Sequence, residues 1–158
     1  MLSIFVKVKS ASSDSNYLRL ASVRASEITV GARDIQYIFT INIPESSQSI
    51  EKVFIAQRGK LEIIKFEQDK VSAYGGTEAQ KELRISQANV DSKTRGLTVH
   101  FDPPVQSGQI LTLSLGVNRN PFTSGQYLFD VVVYPLGRPD AISLGVGRIR
   151  ITSIRDTE

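Results

Sequence analysis

The chain has 158 residues, of which 41% are hydrophobic and 22% charged, and its 19 basic and 16 acidic side chains leave a formal net charge of +3. These values describe a globular chain rather than a disordered one, and the basic excess is too thin for the dense patch of a nucleic-acid binder. Cysteine is absent, and His100 and Met1 are the only histidine and methionine, which excludes disulfides, thiolate nucleophiles, zinc–thiolate centres and iron–sulfur clusters.

One domain over residues 1–158 is expected, with its core at 17–154 and residues 1–16 forming either an extra strand or a flexible lead. No apolar run approaches the about 18 residues of a membrane-spanning helix. The opening "MLSIFVKVKS" has an apolar core of only Leu2 to Val6, short of the about 7–15 residues of a secretory signal.

From there the pattern is one of alternation rather than helical periodicity. In "IQYIFTINIP", Ile35, Tyr37, Phe39, Ile41 and Ile43 share one face and Gln36, Thr40 and Asn42 the other, with Ile38 the exception. Pro44 ends this strand because it has no N–H to give to a ladder. "IEKVFIAQR" follows a Ser-rich turn, and "KLEIIKF" reads as either a strand or a short helical turn.

Residues Glu67 to Gly96 are the least regular part of the chain. They predict a long polar connection holding one short strand and a helical turn around Thr77–Glu82. Long loops on a rigid sandwich often carry specificity, which makes this segment a candidate for it.

Regular alternation then returns. It places Leu97, Val99 and Phe101 inward, then Leu111, Leu113, Leu115 and Val117, then Tyr127, Phe129, Val131 and Val133. Turn chemistry separates these strands at Pro103-Pro104 and Ser107-Gly108, at Asn118–Gly125 and at Pro135–Pro139. The whole reads as an all-β chain: an antiparallel β-sandwich, immunoglobulin-like or related, of roughly seven to nine strands.

The segment "LGVGRIRIT" contains Gly145 and Gly147 beside Arg148. A phosphate loop requires a helix after its glycines. Here the alternation continues instead, with Ile149 and Ile151 on one face and Arg148, Arg150 and Thr152 on the other. The two glycines therefore mark a bulge or a close approach of a neighbour inside a strand.

"FDPPV" at Phe101–Val105, Asn120-Pro121, "YLF" at Tyr127–Phe129 and "LGVGR" at Leu144–Arg148 stand in an order and spacing that resemble one family. It is the family of domains of unknown function numbered 2808, found chiefly in cyanobacteria, and the likeness runs from about Tyr17 to Ile151. The resemblance implies a small β-rich protein exported to the periplasm or cell envelope. It supplies no catalytic residues, and the chain shows no signal peptide to match.

His100 alternates with apolar neighbours and reads as an outer-face side chain, since a lone histidine builds no metal site. Asp102 is held extended by Pro103 and is expected to cap a turn. Asp130 sits in "YLFDVVVY" and is expected to form a structural ion pair, with Arg148 or Arg150 as partner. In "VNRNPFTSGQY", Arg119, Asn120, Phe122 and Tyr127 combine guanidinium, amide and aromatic groups suited to a ligand or protein contact. Arg148 and Arg150, with Arg24, Arg33 and Arg155, make a candidate basic stripe.

No nucleophile–base pair, metal set or cofactor loop emerges, so no enzyme, cofactor or metal is expected. The function expected is a non-catalytic binding or structural module acting on another protein, a multi-protein assembly or an envelope polymer, with nucleic acid not expected. Two alternatives stand beside it. One is a hydrolase using Asp102 and Asp130, which requires the carboxylates within about 10 Å of each other. The other is a polyanion binder using the arginine face.

Overall fold

The computed structural model describes residues 17–59, 61–76 and 81–153. The expectations for residues 1–16, for Thr77–Gln80 within the helical turn, and for Arg155 fall outside them. The described residues form strands β1 (Arg19–Ala25), β2 (Arg33–Ile43), β3 (Ile50–Arg58), β4 (Phe66–Gly75), β5 (Lys81–Glu82), β6 (Ile85–Val90), β7 (Leu97–Val105), β8 (Gln109–Arg119), β9 (Gly125–Pro135) and β10 (Ile142–Ile151).

Two five-stranded antiparallel sheets result, ordered β10-β9-β3-β7-β6 and β1-β2-β8-β4-β5. Alternation along each strand is what allows this. Every second side chain of β2, β8 and β9 is fully buried, and their inner faces meet as a single hydrophobic core. At its centre Phe129 meets Tyr37, Phe39 and Phe66 with ring centroids 6.0, 5.8 and 5.9 Å away, mostly edge to face.

The sandwich is as the alternation predicts, but the segment Glu67 to Gly96 differs from its reading. It holds most of β4, all of β5 and all of β6, with Ala73 fully buried in the core. Its polar look has a physical cause. Residues 67–70 bulge out of register, since Phe66 pairs with Val117 and Val71 with Leu115, while β6 is a half-exposed edge strand. Lys81–Glu82, expected in a helical turn, form a two-residue strand.

Of the turn signals expected at Pro103-Pro104 and Ser107-Gly108, the chain turns at the second alone. Strand β7 continues through both prolines to Val105, and the chain reverses at residues 106–108. Asp102 lies exposed within that strand, before a cis peptide bond to Pro103.

Gly145 and Gly147 are both inside β10. Val131 pairs with Gly145 and Val132 with Ser143, which leaves Leu144 as a bulge and Gly145 at φ 95°. Gly147 faces β1, where an added Cβ would stand 2.4 Å from Val23 Cγ2. This contact packs the edge strand of one sheet against the edge strand of the other.

Candidate functional site

Three loops converge at one end of the sandwich: residues 26–32 between β1 and β2, 61–65 between β3 and β4, and 120–124 between β8 and β9. Their placement begins with Asn120. It is 1% exposed, and its Oδ1 accepts a 2.8 Å hydrogen bond from the Tyr37 hydroxyl. Its Nδ2 donates to the Glu27 and Thr29 carbonyls at 2.8 and 3.0 Å. Its backbone N–H donates to the Ala32 carbonyl at 2.8 Å. The strand end of β8 thus anchors the 26–32 loop, and the Thr152 N–H fixes the same loop through the Ile28 carbonyl.

Glu62 performs the second fastening. Its carboxylate accepts from the backbone N–H groups of Phe122 at 3.1 Å and Thr123 at 2.9 Å. The Glu62 loop is clasped in turn by Gln57, which donates to the Glu62 carbonyl at 2.7 Å and accepts from the Ile64 N–H at 2.8 Å. Partial burial raises the Glu62 pKa, but the hydrogen bonds from Phe122 and Thr123 outweigh it and hold the carboxyl below its ordinary value. Glu27 is held low as well, first by the Thr29 hydroxyl and then by the Thr29 N–H. Tyr127 donates to the Thr123 carbonyl at 2.6 Å, and burial followed by the nearby Glu62 charge pushes its phenol up.

On this fixed base stand four large hydrophobic side chains. Ile28 is 40% exposed, Leu61 51%, Ile63 49% and Phe122 63%. Phe122 lies against Gly31, where an added Cβ would come within 2.9 Å of its ring, and Leu61 lies over Gly125 in the same manner. Arg119 stacks over Phe122 with its guanidinium carbon 5.1 Å from the ring centroid. Arg33 is the direct cross-strand partner of Arg119. Glu62, Ile63, Lys65 and Arg119 share a shallow hollow of about 190 Å³.

Sequence reasoning found this end only in part. Of the four contact residues in "VNRNPFTSGQY", Arg119 and Phe122 reach the surface. Asn120 and Tyr127 are buried, and their polar atoms are committed to Tyr37, to loop carbonyls and to Thr123, so the structure uses them as framing. Ile28, Leu61, Glu62 and Ile63 were missed. The available signal was "LEII", where consecutive isoleucines break the alternation: Ile63 points out and Ile64 in.

Asp130 is half-exposed and pairs with Arg58 at 2.6 Å, not with Arg148 or Arg150. Arg58 and Arg148 both flank Leu128 across from it, on opposite neighbouring strands, and Arg58 makes the contact. Asp102 lies two strands away, past His100, which is in register with Lys52 while Asp130 is in register with Ala56. That offset places the two carboxylates more than about 15 Å apart, too far to act as a hydrolytic pair.

The arginines are likewise divided. Arg148 and Arg150 alternate with buried Ile149 and Ile151 and so stand on the outer face of one sheet. Arg24 lies on the outer face of the other, in a depression with Ile38, Thr40 and Thr112, and Arg33 sits at the loop end. Thr152, expected beside the outward arginines, is buried against the 26–32 loop. His100 is half-buried on β7. Among the described residues no group of three His, Asp or Glu side chains is arranged to hold a metal, and no helix is long and apolar enough to cross a membrane.

A two-sheet antiparallel sandwich with its loops braced at one end defines the class of protein. The family whose description reads "Protein of unknown function (DUF2808)" matches residues 10–151, and the chain belongs to it. No curated protein matches the sequence. Among solved structures, the collagen-binding domain of a Staphylococcus aureus adhesin is similar at 8% identity and TM-score 0.43, over 80% of this chain and 97% of that one. The bacterial hydrophobin BslA is similar at 12% identity and TM-score 0.46, over 87% and 96%. The KRT10-binding region domain of the pneumococcal serine-rich repeat protein PsrP is similar at 11% identity and TM-score 0.46, over 87% and 100%.

Proposed function

We propose that this protein is a non-catalytic binding module that attaches through its loop end to a partner protein or an envelope component. The observation that carries the reading is the convergence of Ile28, Leu61, Ile63 and Phe122, all exposed, on three loops that hydrogen bonds hold together. Exposed apolar side chains scattered singly are normal; four gathered at one tip favour an attachment surface. The bracing by Glu62 and Asn120 supports the same reading, because a preformed tip loses little ordering entropy when it binds.

The carboxylates of this end favour binding over acid–base chemistry. Glu62 and Glu27 are kept ionised as acceptors for their own loops, whereas a general acid needs its pKa raised.

The test is attachment to a particulate fraction of the source cells by Leu61→Ser/Phe122→Ser protein. Both side chains are exposed, so the fold should persist, which a thermal melt verifies. Sedimentation with that fraction should fall by at least about tenfold, the effect expected for withdrawing two large apolar contacts from an interface. Unchanged sedimentation of a folded double variant would exclude the loop end as the attachment surface.

A further inference from the structure

We infer that the outer face of the β1-β2-β8-β4-β5 sheet is a second binding surface, and that its occupant is a polysaccharide containing uronic acid units. The site is separate from the loop end, since every residue it uses lies within a strand.

The surface is a hollow of about 550 Å³ lined in part by Arg24, Ile38, Thr40, Tyr74, Thr112 and Ser114. Strand register orders these side chains in two rows. Ser22, Thr40, Thr112 and Tyr74 are successive cross-strand partners, and so are Arg24, Ile38, Ser114 and Ser72. Three strand spacings, about 14 Å, lie between Arg24 on β1 and Tyr74 on β4.

What this face presents limits what it can recognise. Strands β2 and β8 are paired on both sides, so their backbone groups are committed to ladders and no partner strand can add to them. Only side chains remain. Among the described residues no hydrogen bond occupies the hydroxyls of Ser22, Thr40, Thr112 or Tyr74. Beside them lie Ile38 and Ile110, the latter 38% exposed. Hydroxyls interleaved with hydrocarbon and bounded by an aromatic ring match a pyranose, whose edges carry hydroxyls and whose faces carry C–H bonds. A membrane, by contrast, is entered by protruding apolar groups, and this face is recessed.

Charge selects an acidic sugar. Arg24 is exposed, and among the described residues the ion pairs are Arg58–Asp130 and Lys70–Glu67, so Arg24 has no carboxylate partner. Arg19, in register with Asn42, adds a second cation to the same edge, and β1 contains no acid. The lining of the hollow contains none either. Asp34 stands four residues along β2 from Ile38, the partner of Arg24, a separation of about 13 Å. Glu82 lies four strand spacings from Arg24, about 19 Å. A uronate carboxylate meets a guanidinium through two parallel hydrogen bonds. The span from Arg24 to Tyr74 exceeds one sugar ring, which favours a polymer over a single sugar.

The experiment measures binding of the whole chain to immobilised polygalacturonate. Dextran serves as a sugar without carboxylates and poly-L-glutamate as carboxylates without sugar. Wild-type protein should prefer polygalacturonate to either comparator by at least about tenfold. Arg24→Gln and Tyr74→Ala should each weaken that binding about tenfold, and Thr112→Val about threefold. Thermal melts verify the fold, and Arg24→Gln, at an exposed edge position, decides the matter if Tyr74→Ala unfolds. Leu61→Ser/Phe122→Ser and Arg148→Gln/Arg150→Gln should change nothing.

Absence of binding, or equal binding to dextran or polyglutamate, would overturn the inference. Unchanged affinity in Arg24→Gln would overturn it as well. Loss of binding in the Arg148/Arg150 variant would replace it with attraction of any polyanion to the other sheet. Loss in the tip variant alone would move the sugar to the loop end, leaving the loop-end reading standing without this second surface.

Discussion

The Tyr37 hydroxyl donates a 2.8 Å hydrogen bond to Asn120 Oδ1 inside the sandwich, joining the middle of one strand to the end of another 83 residues later. The bond couples core to loop. Tyr37 is fully buried, and burial pushes its phenol up, so it remains a neutral donor at any ordinary pH. Asn120 passes the connection onward to the Glu27 and Thr29 carbonyls.

Asn120→Ala strips partners from the phenol and from two carbonyls together. A loss of about 2–4 kcal/mol is expected, with about 1–2 kcal/mol for Tyr37→Phe, which strands only the amide oxygen. Urea unfolding measures both. A wild-type midpoint for Asn120→Ala would mean that water replaces the network without cost.

The Glu62 fastening carries a pH signature. Its folded pKa lies below the ordinary 4.5, so between those values the unfolded chain binds more protons and stability rises with pH. The contribution is complete above about pH 4.5 and disappears as pH falls through the folded value. Glu62→Gln should therefore cost about 1 kcal/mol at pH 7, and the gap to wild type should narrow as pH falls below about 4.5. Stability curves for the two proteins that stay parallel throughout the acid range would refute this.

The two glycines of β10 should respond differently to alanine. At Gly147 the new methyl collides with Val23, so Gly147→Ala should cost about 1–3 kcal/mol and recover much of it when combined with Val23→Ala. At Gly145 nothing lies within 4 Å and φ is 95°. The cost there is backbone strain of about 1–3 kcal/mol, which no neighbouring change can relieve. Thermal melts of the single and double variants distinguish the two cases.

What was legible in the sequence was whatever burial imposes with period two. The inner faces of β2, β7, β8 and β9 were legible because every second residue must meet the core. Strand β4 was hidden because residues 67–70 bulge out of its ladder and break the period. The loop end was half-hidden for another reason. Polar and aromatic residues in a turn look alike whether they brace it, as Asn120 and Tyr127 do, or face outward, as Arg119 and Phe122 do. Only the fold brings Glu62 to Phe122 across 60 positions of sequence. The Arg58–Asp130 pair likewise depends on which neighbouring strand lies where.

Strands β1 and β10, which meet at Val23 and Gly147, also run in the same direction, as the parallel bridge between Thr29 and Thr152 records. The described chain therefore enters beside Pro44 and Pro135 and leaves beside Ile28, at the opposite pole. An eleven-residue strand such as β8 spans about 35 Å between them. A tether fixed on the Tyr17 side would thus hold the tip outward at full standoff, whereas a tether fixed on the Ser153 side would hold it close against its own anchor.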